Sequence, residues 1–507
     1  MEKVAVFDLF SGPGGLGEGF SAFKDENQES PFQIVLSVEK DVSAHKTLTT
    51  RAFFRKIANN PKKRDLYNKY VRAQITREEL FEACPEEAHE ARTETLHGPK
   101  SLGKDNALIH GRIREISNSH KGPKILIGGP PCQAYSLAGR SRNAGNDKYN
   151  AEDDERHFLY KEYLSVLAIL QPDIFVMENV RGILSSKVDG KLIFPDILKD
   201  LKNPFRGKKN YQGNTYKVFS LVEPSDFLNE DIDPKNFLIK TENYGIPQAR
   251  HRVILLGIKQ PSEIIPDILK TKNEYVTVQE TIGDLPLLRS GFSKIKDNDL
   301  KWNECVINLL ETAKNIVKAK FPAVKLSSLS VAPHPNLNRS STKATYELTS
   351  LPTHLRDWIT DTSLNYIANH ETRGHLEADL LRYSFSATYA IITNGTSPKA
   401  RDYPDALAPS HKNWNSGKHA DRFRVQPANK YATTITSHIS KDGHYFIHYD
   451  PQQCRSFTVR EAARIQTFPD NYIFEGNRTN QYVQVGNAVP PYLALQIAEI
   501  LHKVLLT

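Results

Sequence analysis

An open α/β sheet, mostly parallel, with helices on both faces and a smaller, irregular second domain, is the fold class this sequence predicts. Short apolar runs alternate with helical stretches through the first half of the chain. Three unusual motifs, at Ser11, Pro130 and Glu178, each lie just beyond such a run, and from about Gly291 the alternation stops. Strands alternating with helices argue for a doubly wound sheet. Such sheets take their ligands at the carboxyl ends of the strands, where these motifs fall.

The elements follow in order. Val4–Phe10 (VAVFDLF) and Ile34–Val38 (IVLSV) read as buried strands, the second closing on Glu39. From Asp41 to Asn106 the texture turns charged and helical, as in REELFEACPEEAHEAR, and we read a surface insertion without chemistry of its own. Strand signals return at Lys124–Ile127, Ile174–Met177, Tyr216–Val222 and Val253–Leu256, with a helix predicted over Phe158–Leu170. Beyond Gly291 an amphipathic helix is predicted over Trp302–Lys320, and further helices over Thr458–Gln466 and Pro491–Leu501. The expected division is 1–290, 291–425 as a second domain, and 426–507 returning to the first.

Composition sets limits on function. The 507 residues are 39% hydrophobic and 25% charged, which excludes wholesale disorder. A net charge of +8 permits a polyanionic partner without proving one. Cys84, Cys132, Cys305 and Cys454 lie far apart, so neither a disulfide framework nor a metal site is indicated. No run approaches a membrane span, and MEKVAVFDLF does not read as a basic region followed by an apolar stretch, so secretion is disfavoured and a cytoplasmic protein is expected.

The motifs carry the chemistry. FDLFSGPGGLGEGF places glycines directly after a strand, where they allow a sharp turn and close approach of a ligand. Without a GKS or GKT it is not a triphosphate loop. Glu39, at the tip of the next strand, stands where an acidic side chain accepts ribose hydroxyls. A nucleoside cofactor fits, and glycine spacing does not choose between a nicotinamide dinucleotide and S-adenosylmethionine. In GGPPCQAYS, Pro130 and Pro131 fix two φ angles and hold Cys132 in one loop geometry. A lone cysteine is most often a small buried hydrophobe, and a nucleophilic one needs its pKa lowered. Glu178, in MENV, is a carboxylate at a strand tip, expected to have a raised pKa and to donate a proton. Arg250 and Arg252, two apart in QARHRV, fall on one side of an extended segment and could grip a phosphate and a carbonyl oxygen.

Taken together, FDLFSGPGGLGEGF, GGPPCQAYS, MENV, NYGIPQARHR, TVREAARIQTFPDNY and QVGNAVPP resemble, in order and spacing, the DNA (cytosine-5) methyltransferase family. The resemblance implies a Rossmann-like, S-adenosylmethionine-dependent methyltransferase sheet. It implies Cys132 as the nucleophile adding to carbon-6 of cytosine, Glu178 as the proton donor at ring nitrogen-3, and Arg252 at the ring carbonyl. Arg250 matches a neighbour placed near the target phosphate. Phe10, Gly12, Gly14, Gly15, Leu16, Glu39, Pro130, Leu159, Asn487 and Ala488 match the cofactor pocket. Gln133 and Ser136 match a loop that closes on DNA around a flipped base. The family's usual acidic contact to the adenine amine is missing: the local candidate puts Arg112 there, with Asp105 as an alternative. Double-stranded DNA is the implied partner and 291–425 the implied target-recognition domain, in a bacterial monomer that shares its site with a restriction endonuclease. Transfer RNA as the substrate, a silent DNA-binding relative and a dehydrogenase are the competing readings; PPCQ and ENV would have no task in a dehydrogenase.

Overall fold

The computed structural model describes residues 2–131, 155–188, 190–206, 213–224, 233–325, 329–409, 414 and 421–506. The chain opens with β1 (Val4–Leu9), helix α1 (Gly15–Ala22) and β2 (Phe32–Val38). Helices α2 (Val42–Ile57), α3 (Pro61–Val71), α4 (Arg77–Ala83), α5 (Pro85–Glu94) and α6 (Asn106–Ser119) precede β3 (Lys124–Gly128). Then come α7 (Glu155–Leu170), β4 (Ile174–Val180), α8 (Phe194–Lys202), β5 (Tyr216–Phe219), β6 (Leu238–Lys240) and β7 (His251–Lys259).

These strands form one sheet in the order β2-β1-β3-β4-β7-β5, with β6 sharing the far edge of β7. The first four run parallel, and β7 is antiparallel to all three of its neighbours. The strands are buried on both faces, which is why they read as unbroken apolar runs. One face packs against α1 and the C-terminal helix over Pro491–Leu506, the other against α6, α7 and α8. The strand order reverses at β1, between β2-β1 and β1-β3, the point at which open sheets of this kind take ligands outside their carboxyl ends.

The charged stretch 41–106 is not the surface appendage its composition suggests. The inner side of α2 is buried, and its Arg51 forms an ion pair with Glu18 of α1 and donates to Asn471 Oδ1 at 2.8 Å. Its charges are used inward as well as outward, a difference that charge counting does not reveal. β4 also runs three residues past the expected Met177, so Glu178 lies within the strand, opposite Ile254 of β7.

The remainder adds α9 (Val278–Ile282), α10 (Asp299–Lys320), α11 (Thr353–Ile359), α12 (Glu377–Ile392), α13 (Val459–Ile465), α14 (Arg478–Asn487) and α15 (Pro491–Leu506). Trp302, Val306, Leu310 and Val317 of α10 pack against Leu380, Tyr383 and Phe385 of α12, forming a core separate from the sheet. That core reaches on to Ile447 and Cys454. Among the described residues no helix is long and apolar enough to cross a membrane.

Candidate active site

The glycine-rich turn after β1 is shaped by backbone requirements. Phe10 sits at φ 55, strained for a bulky side chain, and Gly12 at φ 57. Among the described residues nothing lies within 4 Å of where a Cβ on Gly12 would stand, so the turn leaves open space there. Ser11 N–H donates to Val38 O at 3.1 Å, and Gly12 N–H donates to Glu39 Oε2 at 2.8 Å, joining this turn to the tip of β2. Glu39 Oε1 accepts from Lys40 and Asp41 N–H at 2.8 and 2.7 Å. Burial raises the pKa of Glu39, against the pull of these three donors. A fixed, half-buried carboxylate beside open space fits a ribose diol.

Gly14 and Gly15 have packing duties as well. A Cβ on Gly15 would fall 2.2 Å from Val489 O, so α1 can meet the C-terminal return only at glycine. The Leu16 side chain is buried in the core that also holds Phe20, Val489 and Leu493. Ala488 is buried, Asn487 exposed, and Leu159 half-buried near the start of α7.

Segment 97–105 supplies the neighbourhood that the sequence left open. Lys100 N–H donates to Glu39 O at 2.8 Å, bringing this segment against the tip of β2. Asp105 closes it, its Oδ2 accepting from Ser101 N–H at 2.7 Å. Arg112 instead sits within α6, paired with Glu115. Of the two candidates for the adenine contact, Asp105 is the one in the loop beside Glu39.

At β3 and β4 the reacting edge takes shape. Pro130 is buried, and Asn179 Nδ2 donates to its carbonyl at 3.3 Å, tying the proline loop to β4. A Cβ on Gly129 would stand 2.8 Å from Glu178 Oε2, so glycine lets this loop pass directly over the carboxylate. Cys132, Gln133 and Ser136 lie outside the described residues. Arg252 Nε is 2.8 Å from Glu178 Oε1. Among the described residues no acceptor lies along that N–H, so the contact is an ion pair rather than a well-directed hydrogen bond. Burial lowers the Arg252 pKa and Glu178 opposes it.

Arg250 does not share that edge as the spacing suggested. Its guanidinium turns into the protein, with the residue only 2% exposed, and Nη1 donates to Ile435 O at 2.8 Å and Gly486 O at 3.2 Å. Three further residues of the same motifs went unassigned in the sequence. Asn179 anchors the proline loop, Thr241 Oγ1 accepts from Arg250 N–H at 3.0 Å, and Gln248 Nε2 donates to Ile465 O at 2.9 Å. Each sits in or beside a quoted motif, which was the available signal. Among the described residues no group of three His, Cys, Asp or Glu could hold a metal.

A glycine-rich turn held to an acidic strand tip, together with a carboxylate–guanidinium pair beneath the Gly129–Pro130 loop, agrees with what the comparison with known families finds. Residues 100–503 match the family model described as C-5 cytosine-specific DNA methylase. The chain belongs to this family. Its members are S-adenosylmethionine-dependent, and the chain is a DNA cytosine-5 methyltransferase. The enzyme is 33% identical over 523 residues to the Type II methyltransferase M.Bpa9945I of Bacillus paralicheniformis, covering 99% of each chain. It is 25% identical over 512 residues to M.DdeI of Desulfomicrobium norvegicum, covering 97% of this chain and 87% of that one. A solved putative DNA modification methyltransferase encoded within an E. coli prophage shares the fold, with a TM-score of 0.53, 19% identity and full coverage of both chains. The methyltransferase thus keeps the Rossmann-like sheet that the motifs implied, and DNA is favoured over transfer RNA as its substrate.

Proposed function

We propose that the enzyme methylates one cytosine within a specific duplex sequence, binding S-adenosylmethionine between the Phe10–Leu16 turn, Glu39 and the Asn487–Ala488 return. The observation that carries this reading is the Glu178–Arg252 pair, 2.8 Å apart, with the loop that leads to Cys132 passing over it. S-adenosylmethionine, when bound, supplies an electrophilic methyl group. Glu39 would receive the ribose, Asp105 would meet the adenine amine, and Pro130 would hold the loop against the pocket.

Cytosine is too electron-poor at carbon-5 to attack unaided. The Cys132 thiolate adds to carbon-6 while Glu178 gives a proton to nitrogen-3 and Arg252 stabilises charge at the ring oxygen; carbon-5 then takes the methyl group, and loss of its proton expels the thiolate and restores the ring. Inside a duplex that base is out of reach, so it is flipped out, and Gln133 and Ser136 come from the loop that closes on the DNA. The separate core built on α10 and α12 supports assigning 291–425 to target recognition, with 1–290 and 426–507 forming the catalytic unit. Kinship with Type II methyltransferases supports a bacterial setting in which a monomeric, cytoplasmic enzyme protects sites from a partner endonuclease.

The test is covalent trapping. Duplex DNA carrying 5-fluorocytosine at the target, with cofactor present, is expected to crosslink to Cys132 and not to a Cys132→Ala variant. A crosslink elsewhere, or methylation by Cys132→Ala, overturns the assignment.

A further inference from the structure

Arg250 has left the position its motif suggested, and its new partners are informative. We propose that Arg250 is a positioning residue that latches the cofactor-facing end of α14 to the strand carrying Arg252, so that cofactor affinity depends on it while DNA-phosphate binding does not. The inference rests on the reading above that Asn487 and Ala488 face the cofactor.

The argument begins at the helix end. The last carbonyls of an α-helix lack intrahelical donors and sit at the negative end of its dipole. In α14 those carbonyls belong to Gly486 and Asn487, and Arg250 meets both, from Nη1 at 3.2 Å and Nη2 at 3.5 Å. The same Nη1 donates to Ile435 O at 2.8 Å, in the segment that returns from the second domain. This three-way meeting needs a small residue at position 486, because a Cβ there would stand 2.2 Å from Ser437 N.

The other end of Arg250 is equally fixed. Its N–H donates to Thr241 Oγ1 at 3.0 Å, and two residues on, Arg252 lies against Glu178. One side chain therefore joins the start of β7, the return segment and the cofactor-facing turn. At 2% exposure its guanidinium cannot meet a phosphate without abandoning these carbonyls. A buried guanidinium left without acceptors would be costly, and burial beside Arg252 already depresses its pKa.

Two variants and two titrations test this. Arg250→Lys keeps the charge but has a single head group for three carbonyls; Arg250→Met removes the charge. Both are expected to weaken binding of S-adenosylhomocysteine, measured without DNA by calorimetry, by at least about tenfold. The slope of log K for duplex DNA against log salt is expected to stay that of the unaltered enzyme. If Arg250 instead holds a phosphate, Arg250→Met flattens that slope by about 0.9 with cofactor affinity intact, and Arg250→Lys restores it; that result overturns the proposal. Should the variants fail to fold, hydrogen exchange on the unaltered enzyme decides. S-adenosylhomocysteine alone is expected to slow exchange at Ile435 and Arg250 as well as at Asn487 and Ala488, and protection confined to the last two overturns the latch. Failure of the underlying reading looks different: the unaltered enzyme would then bind no S-adenosylhomocysteine.

Discussion

Asp8 stands alone as a carboxylate inside a strand that is otherwise wholly apolar. It is 1% exposed, its side-chain oxygens have no well-directed hydrogen-bond donor among the described residues, and burial pushes its pKa up from 3.8 to about 8 against the opposing pull of Arg55 and Ser11. A carboxyl whose folded pKa exceeds its unfolded one contributes stability that is complete below the unfolded value and lost as pH rises through the folded value. For Asp8 the window runs from pH 3.8 to about 8. Asp8→Asn removes this dependence, so denaturant melts at pH 5, 7 and 9 should show the variant gaining on the parent by a few kcal/mol in all, levelling off above pH 8. A gap that does not change with pH would mean that Asp8 is ionised when folded. Glu178 has a different task, since it touches both Arg252 and the proline loop. Glu178→Gln keeps its size but has no acid proton to give, and should lower turnover on duplex DNA about 10²–10⁴-fold with S-adenosylhomocysteine affinity unchanged. Turnover within about threefold of the parent would remove Glu178 from the chemistry.

Glycines at the element scale separate two kinds of constraint that a sequence cannot. Gly15 at the start of α1 faces Val489 O, where a Cβ would stand at 2.2 Å, whereas Gly111 within α6 is exposed, and outside its own helix no described residue comes within 4 Å of its Cβ position. Gly15→Ala must push backbone apart and should cost at least about 2 kcal/mol. Gly111→Ala should stabilise by about 0.5–1 kcal/mol through helix propensity. Urea melts of the two variants should therefore shift in opposite directions. The same contrast shows how far the elements were legible beforehand. β1, β3 and β4 announced themselves because strands covered on both faces are continuously apolar. α12 did not, because its buried side includes Tyr383, Ser384, Ser386, Thr388 and Tyr389, whose hydroxyl-bearing side chains look like surface in a linear reading. The reach of Arg250 was illegible for another reason. Spacing gives which side of a segment a residue occupies, not which carbonyls come within reach once positions 435 and 486 fold against it.

At the scale of the whole molecule, the stretch 41–106 joins parts of the chain that are far apart in sequence. Arg51 of α2 pairs with Glu18, donates to Asn471 Oδ1 at 2.8 Å, and lies over the rings of Phe54 and Tyr472 at 4.1 and 4.7 Å. Thr47, one turn earlier, donates to Gln484 Oε1 at 2.6 Å and accepts from Glu475 N–H at 2.8 Å. Farther out, Arg64 of α3 pairs with Asp361, and Arg72 donates to Leu364 O at 2.6 Å, tying the stretch to a segment that lies within 291–425. Of these, the Arg51–Glu18 pair has both partners near 5% exposure, so neither charge is served by water. Removing one partner of a buried pair strands the other, at about 3–5 kcal/mol, while replacing both with apolar groups of like volume is often near neutral. Arg51→Met alone should therefore destabilise the enzyme by about that amount, and Arg51→Met with Glu18→Leu should recover most of it. Guanidinium melts of the single and double variants, closed as a thermodynamic cycle, measure the coupling. A cycle energy below about 0.5 kcal/mol would show that α2 is held by its apolar side and the aromatic rings, with the ion pair incidental.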